Sequence, residues 1–225
     1  MKTIIIIEIA MLLSTTFQLP GQTEKPGKRT IDLPEPTLQS ELSVEEALAR
    51  RRSVRDYGKA NLSLSEVGQL LWAAQGITSG GGKRTAPSAG ALYPLEIFVV
   101  AGHVEGLAAG VYQYQPHNHK LRLEKEGDVR RELAFQAVSQ EWIAEAPAVL
   151  VIAGVYERTM SKYGERGQRY VHMEVGYASQ NVYLQAETLG LATCAVGAFQ
   201  DGNVRELLGL RRRERPLLLM PVGKK

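Results

Sequence analysis

Thr85-Ala86-Pro87-Ser88-Ala89-Gly90-Ala91-Leu92-Tyr93-Pro94-Leu95-Glu96 runs straight into the apolar stretch Ile97-Phe98-Val99-Val100. Pro87, Ser88, Ala89, Gly90 and Ala91 are small or rigid, and side chains of that size let a backbone come very close to a flat ligand. A loop that only connects more often carries solvated charge than two prolines, a glycine and three alanines. Small residues also make ordinary tight turns, so the loop takes its meaning from its surroundings.

Working outward, Glu96 to Ala101 reads as a buried strand. Upstream, Ser43 with Glu46 and Ser63 with Glu66 are two capping boxes that open helices. The second helix presents Val67, Leu70, Leu71 and Ala74 on one face and stops at Gly76. Downstream, Val111 to Tyr114 and Leu121 to Leu123 alternate about the Pro116–His119 turn, a hairpin signal. A helix is expected from about Val129 to Ser139. Ala148 to Val155 reads as a strand covered on both faces. Next come a long helix over roughly Tyr170 to Leu189, a strand over Thr193 to Gly197, a short helix over Asn203 to Leu208 and a last strand over Leu217 to Val222. The expected fold class is α+β, a central mixed β-sheet flanked by helices. Residues 43–225 form the domain, and residues 1–42 a separate arm.

Arg51, Arg52 and Arg55 cluster at the end of the first helix, with Ser53 between them. The cluster reads in two ways. A helix C-terminus attracts cations weakly, by ~0.3–1 kcal/mol, which accounts for one or two solvated guanidinium groups. Planar guanidiniums also fork onto phosphate or ring carbonyl oxygens in a way lysine cannot match.

The bulk numbers exclude several classes. The chain has 225 residues, 44% of them hydrophobic, and its 27 basic and 24 acidic residues leave a net charge of only +3. That is no nucleic-acid footprint, and Arg211-Arg212-Arg213-Glu214-Arg215 reads as a solvated turn. Cys194, the one cysteine, lies in an apolar run as a small buried hydrophobe and allows no intrachain disulfide. His117 and His119 lack the further ligands that zinc needs, so no metal is expected. Met1 to Leu13 resembles a secretory signal, but Glu8 interrupts it and no clean cleavage site follows. The stretch is too short and broken to span a bilayer. It reads either as that signal or as an arm docking on a partner subunit, with a cytoplasmic location favoured. Pro20 to Pro36 reads as a linker or extended arm.

Arg-Arg-Ser-x-Arg after an N-terminal helix resembles the FMN motif of the nitroreductase superfamily. Leu70 to Gly76 followed by Arg84 to Pro94 is similar to its SagB-type, azoline-oxidising branch. Glu174-x-Gly176, Gln180-Asn181, Ala195-Val196-Gly197-Ala198-Phe199 and Met220-Pro221-Val222-Gly223 fit the same pattern. The resemblance covers roughly Val44 to Gly223. It implies a homodimer with FMN at the interface, each site built from both subunits. Arg51, Arg52, Ser53 and Arg55 would hold the phosphate arm and pyrimidine edge. Pro87, Ser88, Ala89 and Gly90 would pass along the ring, as would Val196 and Gly197. Many relatives continue past the final Pro-x-Gly with basic residues, whereas this chain stops at Lys224-Lys225, so either lysine, Lys224 in the first place, or Arg51 and Arg52 alone would clasp the phosphate.

The reaction implied is ping-pong hydride transfer at the flavin. It would either reduce nitro or quinone acceptors with NAD(P)H or oxidise a peptide azoline, so the partners are a small-molecule or peptide substrate. No Rossmann fingerprint is present, and nicotinamide would dock transiently. Lys162-Tyr163, expected on a loop ahead of the long helix, matches the branch's base and acid pair. As residues alone they also read as a solvated charge beside a packing ring. The alternative function is a non-catalytic flavin-binding partner subunit of a modification complex. Tyr93, Trp142 and Phe199 could stack on substrate, with core packing the favoured reading.

Overall fold

The computed structural model describes residues 29–225. The signal-like stretch Met1 to Leu13 lies outside the described residues. The chain forms β1 (Thr30–Asp32), α1 (Val44–Arg50), α2 (Leu64–Gln75), β2 (Leu95–Ala101), β3 (Gly110–Gln115) and β4 (Lys120–Glu126). It continues with α3 (Arg130–Gln136), α4 (Trp142–Glu145), β5 (Ala148–Gly154), α5 (Tyr156–Tyr163), α6 (Arg166–Thr188), β6 (Leu191–Thr193), α7 (Asp201–Leu207) and β7 (Arg215–Lys224).

Seven strands make one sheet in the order β1-β4-β3-β2-β5-β7-β6. A mixed sheet was expected, yet all six strand ladders are antiparallel. The expectation took helices between strands as parallel crossovers. Here no connection returns a strand to the starting end of its immediate neighbour. β5 lies between β2 and β7 with every residue buried, as its unbroken apolar run requires.

Alternation along β2 divides its side chains between two cores. Leu95, Ile97, Val99 and Ala101 join Val67, Leu70, Leu71 and Ala74 of α2 and Val171, Val175, Ala178 and Val182 of α6. Phe98 and Val100 face the other way, toward Leu133 and Ala134 of α3, Ile143 of α4 and Val204 of α7. The result is a sheet between two helical layers.

Both capping boxes form, with Ser63 Oγ accepting the Glu66 N–H at 3.2 Å and Glu66 Oε2 accepting the Ser63 N–H at 2.8 Å. Three elements have weak sequence signals. β1 pairs with β4 inside the stretch read as a linker, and Lys120 holds Asp32 across that edge at 2.8 Å. α4 is four residues long. α5 is eight residues long and fully buries only Thr159, although Tyr156, Thr159, Met160 and Tyr163 fall on one face. α6 starts four residues earlier than expected, at Arg166.

Candidate active site

The long helix α6 organises two groups of polar residues. On one flank the Arg51–Arg55 segment leaves α1 and is pinned to β6, with the Val54 N–H donating to Thr193 O at 3.0 Å. The Tyr183 hydroxyl, from α6, lies 3.1 Å from Ser53 Oγ and accepts the Ala195 N–H at 2.7 Å. Arg51 stacks 5.1 Å from the Tyr183 ring centre, and Arg55 stacks 5.4 Å from the Trp142 ring centre. Arg52 bonds only backbone carbonyls, those of Ala49 and Arg51. Among the described residues none of these three guanidiniums forms an ion pair with a carboxylate. Val196 exchanges both backbone hydrogen bonds with Leu219 (2.8 and 3.0 Å), and exposed Gly197 faces open space.

Lys224 closes this flank differently from the expectation of a free phosphate ligand. Its ammonium is paired with Glu66, and its carbonyl accepts the Gly58 N–H at 2.9 Å. Burial works to raise the Glu66 carboxyl. The Lys224 ammonium and the Ser63 hydrogen bonds outweigh it and leave Glu66 below the ordinary carboxylate value. Trp142 and Phe199 are half-buried and pack on the second core, as read from the sequence.

The opposite flank carries the Pro87–Gly90 loop. Gly90 is left-handed (φ 62°), and so are the non-glycine residues Ala91 (φ 54°) and Tyr93 (φ 46°). Backbone held in such sparsely populated regions clusters at functional sites. Two side chains fix the loop. Ser88 Oγ accepts the Tyr93 N–H at 2.8 Å, and buried Glu174 accepts the Ala89 N–H at 3.0 Å. Burial raises the Glu174 carboxyl above the ordinary range, only partly offset by the Ala89 and Ser88 hydrogen bonds and the field of Arg84.

Lys162 and Tyr163 lie in the last turn of α5 rather than on a loop, and Gly164 (φ 57°) ends that turn. The structure brings the pair onto the Gly90 backbone. A β-carbon at Gly90 would lie 2.8 Å from Tyr163 Oη and 3.0 Å from Lys162 Nζ. Tyr163 is held edge-on against Tyr170, ring centres 5.1 Å apart.

Among the described residues no hydrogen bond or ion pair joins the two flanks. Glu174 and Tyr183 are nine residues apart on α6, about 2.5 turns and about 14 Å of rise. They therefore project from opposite sides of the helix. The face exposed between them includes Gly176, with Met173 and Tyr177 each 46% accessible. Tyr183 and Arg84 had no signal as site residues in the sequence, because an aromatic in a helix and a lone arginine in a loop are both ordinary.

Among the described residues no helix is long and apolar enough to cross a membrane. No group of three or more His, Cys, Asp or Glu residues there could hold a metal ion.

Comparison with known proteins follows the same lines. The profile described as Nitroreductase family matches residues 48–224. MJ1384 of Methanocaldococcus jannaschii, which carries a nitroreductase name, is 50% identical over 196 residues, 87% of this chain and 98% of its own. The microcin B17-processing protein McbC of Escherichia coli is 30% identical over 174 residues, 73% of this chain and 63% of McbC. A solved structure from Ralstonia eutropha, also named for the nitroreductases, superposes with a TM-score of 0.77 at 28% identity, over 92% of this chain and 94% of that one. The E. coli microcin synthetase McbBCD complex, solved with truncated pro-MccB17 bound, gives 0.68 at 27% identity, over 86% and 77%. The chain belongs to the nitroreductase family and is an oxidoreductase of the flavin type.

Proposed function

We propose that the protein is an FMN-dependent oxidoreductase that works as a homodimer, each site combining the arginine flank of one copy with the Gly90 flank of the other. The observation that carries this reading is the placement of the two flanks on opposite sides of α6. One flat cofactor would reach both sets once a second copy brings its own loop across. The exposed face of Met173, Gly176 and Tyr177 is where that copy would pack.

The donor set fits FMN. Among the described residues Arg51, Arg52 and Arg55 have no ion-paired carboxylate, and they would hold the phosphate and the electron-rich ring edge, with Ser53 adding a hydroxyl. Lys224 would join them only by releasing Glu66. Val196 and Gly197 from one copy, and Pro87 to Gly90 from the other, offer close backbone approach. Bound FMN supplies the two-electron hydride chemistry.

Lys162 and Tyr163 supply the proton chemistry. With both tips against Gly90, Lys162 Nζ would take the proton that leaves carbon when a peptide azoline is oxidised. Tyr163 Oη would hold a polar atom of the same ring. This placement, together with the likeness to McbC, favours the azoline direction. Reduction of nitro or quinone acceptors by transiently bound NAD(P)H is the second reading, favoured by the extent of the likeness to MJ1384.

Complementation tests the shared site. An Arg51→Ala/Arg55→Ala double variant and a Lys162→Ala variant should each be inactive alone. Mixed under subunit exchange they should regain activity, since one site per heterodimer carries neither change. No recovery from chains shown to exchange would overturn the assembly.

A further inference from the structure

Beside the Gly90 loop lies a polar basin of about 450 Å³ that the proposed chemistry does not use. Four arginines line it, Arg84, Arg122, Arg158 and Arg211, together with Tyr93, His117 and a single carboxylate, Glu96. Three of the arginines are compensated. Arg158 pairs with Glu96, Arg122 Nε donates to Glu124 at 2.7 Å, and Arg211 lies 3.8 Å from Glu214.

Arg84 has no carboxylate partner among the described residues. It is half-buried, stacked 4.5 Å from the Tyr93 ring centre, and its Nη1 donates to the neutral Gln75 Oε1 at 2.9 Å. Its Nε is buried without a hydrogen-bond partner in the structure. Burial accordingly works against its charge. Glu96 and Glu174 act on Arg84 through their field alone, with no ion pair to either, so this part-buried cation is incompletely compensated and an anion in the basin would complete the compensation.

Position gives the basin its role. Arg158 Nη1 donates to Tyr93 O at 2.9 Å, tying α5 to the loop. Arg158 and Lys162 are four residues apart on α5, so they share one face about 6 Å apart along the axis. Through Arg158 the basin thus reaches to one helical turn from the proposed base, and Arg84 lines the same basin from the segment that leads to Gly90.

We propose that this basin, through Arg84 and Arg158, anchors an anionic oxygen group of the substrate, a carboxylate or a phosphate, one helical turn from Lys162. The substrate role rests on the proposed function, whereas anion binding in the basin does not.

The test is a titration of the full chain, labelled with ¹⁵N, with inorganic phosphate and separately with acetate. It follows the arginine Nε–Hε resonances and needs neither flavin nor turnover. At least one anion should shift the Arg84 and Arg158 signals saturably, and Arg84→Gln should weaken binding about tenfold or more. Arg84→Lys, which keeps the charge, should retain part of the affinity and covers the case in which the glutamine variant does not fold. A response to phosphate alone would assign a phosphorylated substrate, and one to acetate alone an acidic side chain or chain terminus. Both anions leaving the two resonances unmoved, or binding to Arg84→Gln as to the unaltered chain, would overturn the inference. A chain that binds an anion here but takes up no FMN would instead defeat the proposed function and leave the basin standing.

Discussion

Gly90→Ala perturbs the loop at its tightest point. Gly90 adopts φ 62°, ψ 17°, where an L-residue costs about 1–2 kcal/mol relative to glycine. Alanine at position 91 already holds φ 54°, so the loop tolerates such a residue, and the lower end of that range applies. For a chain of this size each kcal/mol moves the melting temperature by roughly 2–4 °C, so a fall of about 2–4 °C is expected. The new methyl would lie 2.8 Å from Tyr163 Oη and 3.0 Å from Lys162 Nζ, both tips of flexible side chains. They can swing away at little cost in stability, and that displacement is what matters. Misplacing a reacting group by about 1 Å costs on the order of 10²-fold in rate. The variant should therefore hold FMN no more tightly than before, melt slightly lower and lose most of its turnover. Flavin absorbance, thermal unfolding followed by circular dichroism, and steady-state kinetics read the three effects separately. Full turnover alongside the predicted drop in melting temperature would refute the reasoning, because it would mean that the tips of Lys162 and Tyr163 take no part in the reaction.

Ser63→Ala removes the hydroxyl from the second capping box and should cost about 1 kcal/mol, read as a drop in denaturation midpoint with an unchanged flavin site. Glu174 titrates higher in the folded chain than in the unfolded one, so its favourable contribution is complete below the ordinary carboxylate value of 4.5 and is lost as pH rises through the folded value. Unfolding free energies of the unaltered chain and Glu174→Gln, measured from pH 4 to 8, should show the unaltered chain losing ground to the variant as pH rises; a gap independent of pH would contradict this. Gly176→Arg places a long cation on the exposed face of α6 where no atom lies within 4 Å of the added β-carbon. It should leave the folded chain intact while shifting sedimentation toward the monomer and emptying the flavin site; a variant that remains a dimer would move the interface elsewhere.

How much of this could be read from the sequence depended on how local the cause was. Ser63 with Glu66, and Ser43 with Glu46, form caps from residues three apart, and they set both helix starts. β5 is apolar throughout and is buried throughout. Where the determinant was tertiary, the sequence was silent. β1 is three residues held by pairing to β4, too short for a periodic signal, and α5 spaces Tyr156, Thr159, Met160 and Tyr163 on one face over only eight residues. The site shows the same division. Arg51, Arg52, Ser53 and Arg55 are contiguous and visible as a cluster. The contact of Lys162 and Tyr163 with Gly90 joins residues more than 70 positions apart, and the Tyr183 hydroxyl reaches Ser53 across 130 positions. The engagement of Lys224 by Glu66 was equally hidden, because an ion pair between positions 66 and 224 leaves no trace in either neighbourhood.

The central claim, that the arginine flank and the Gly90 flank together hold a redox-active FMN, is tested most directly by an absorbance spectrum of the purified chain supplied with FMN and freed of excess, recorded before and after anaerobic NADPH. The account predicts retained flavin bands at one FMN per chain. Bleaching by NADPH would assign the nitro- or quinone-reducing direction, and bands that persist until an azoline peptide is added would assign the oxidising one. A colourless chain that retains no FMN would contradict the account.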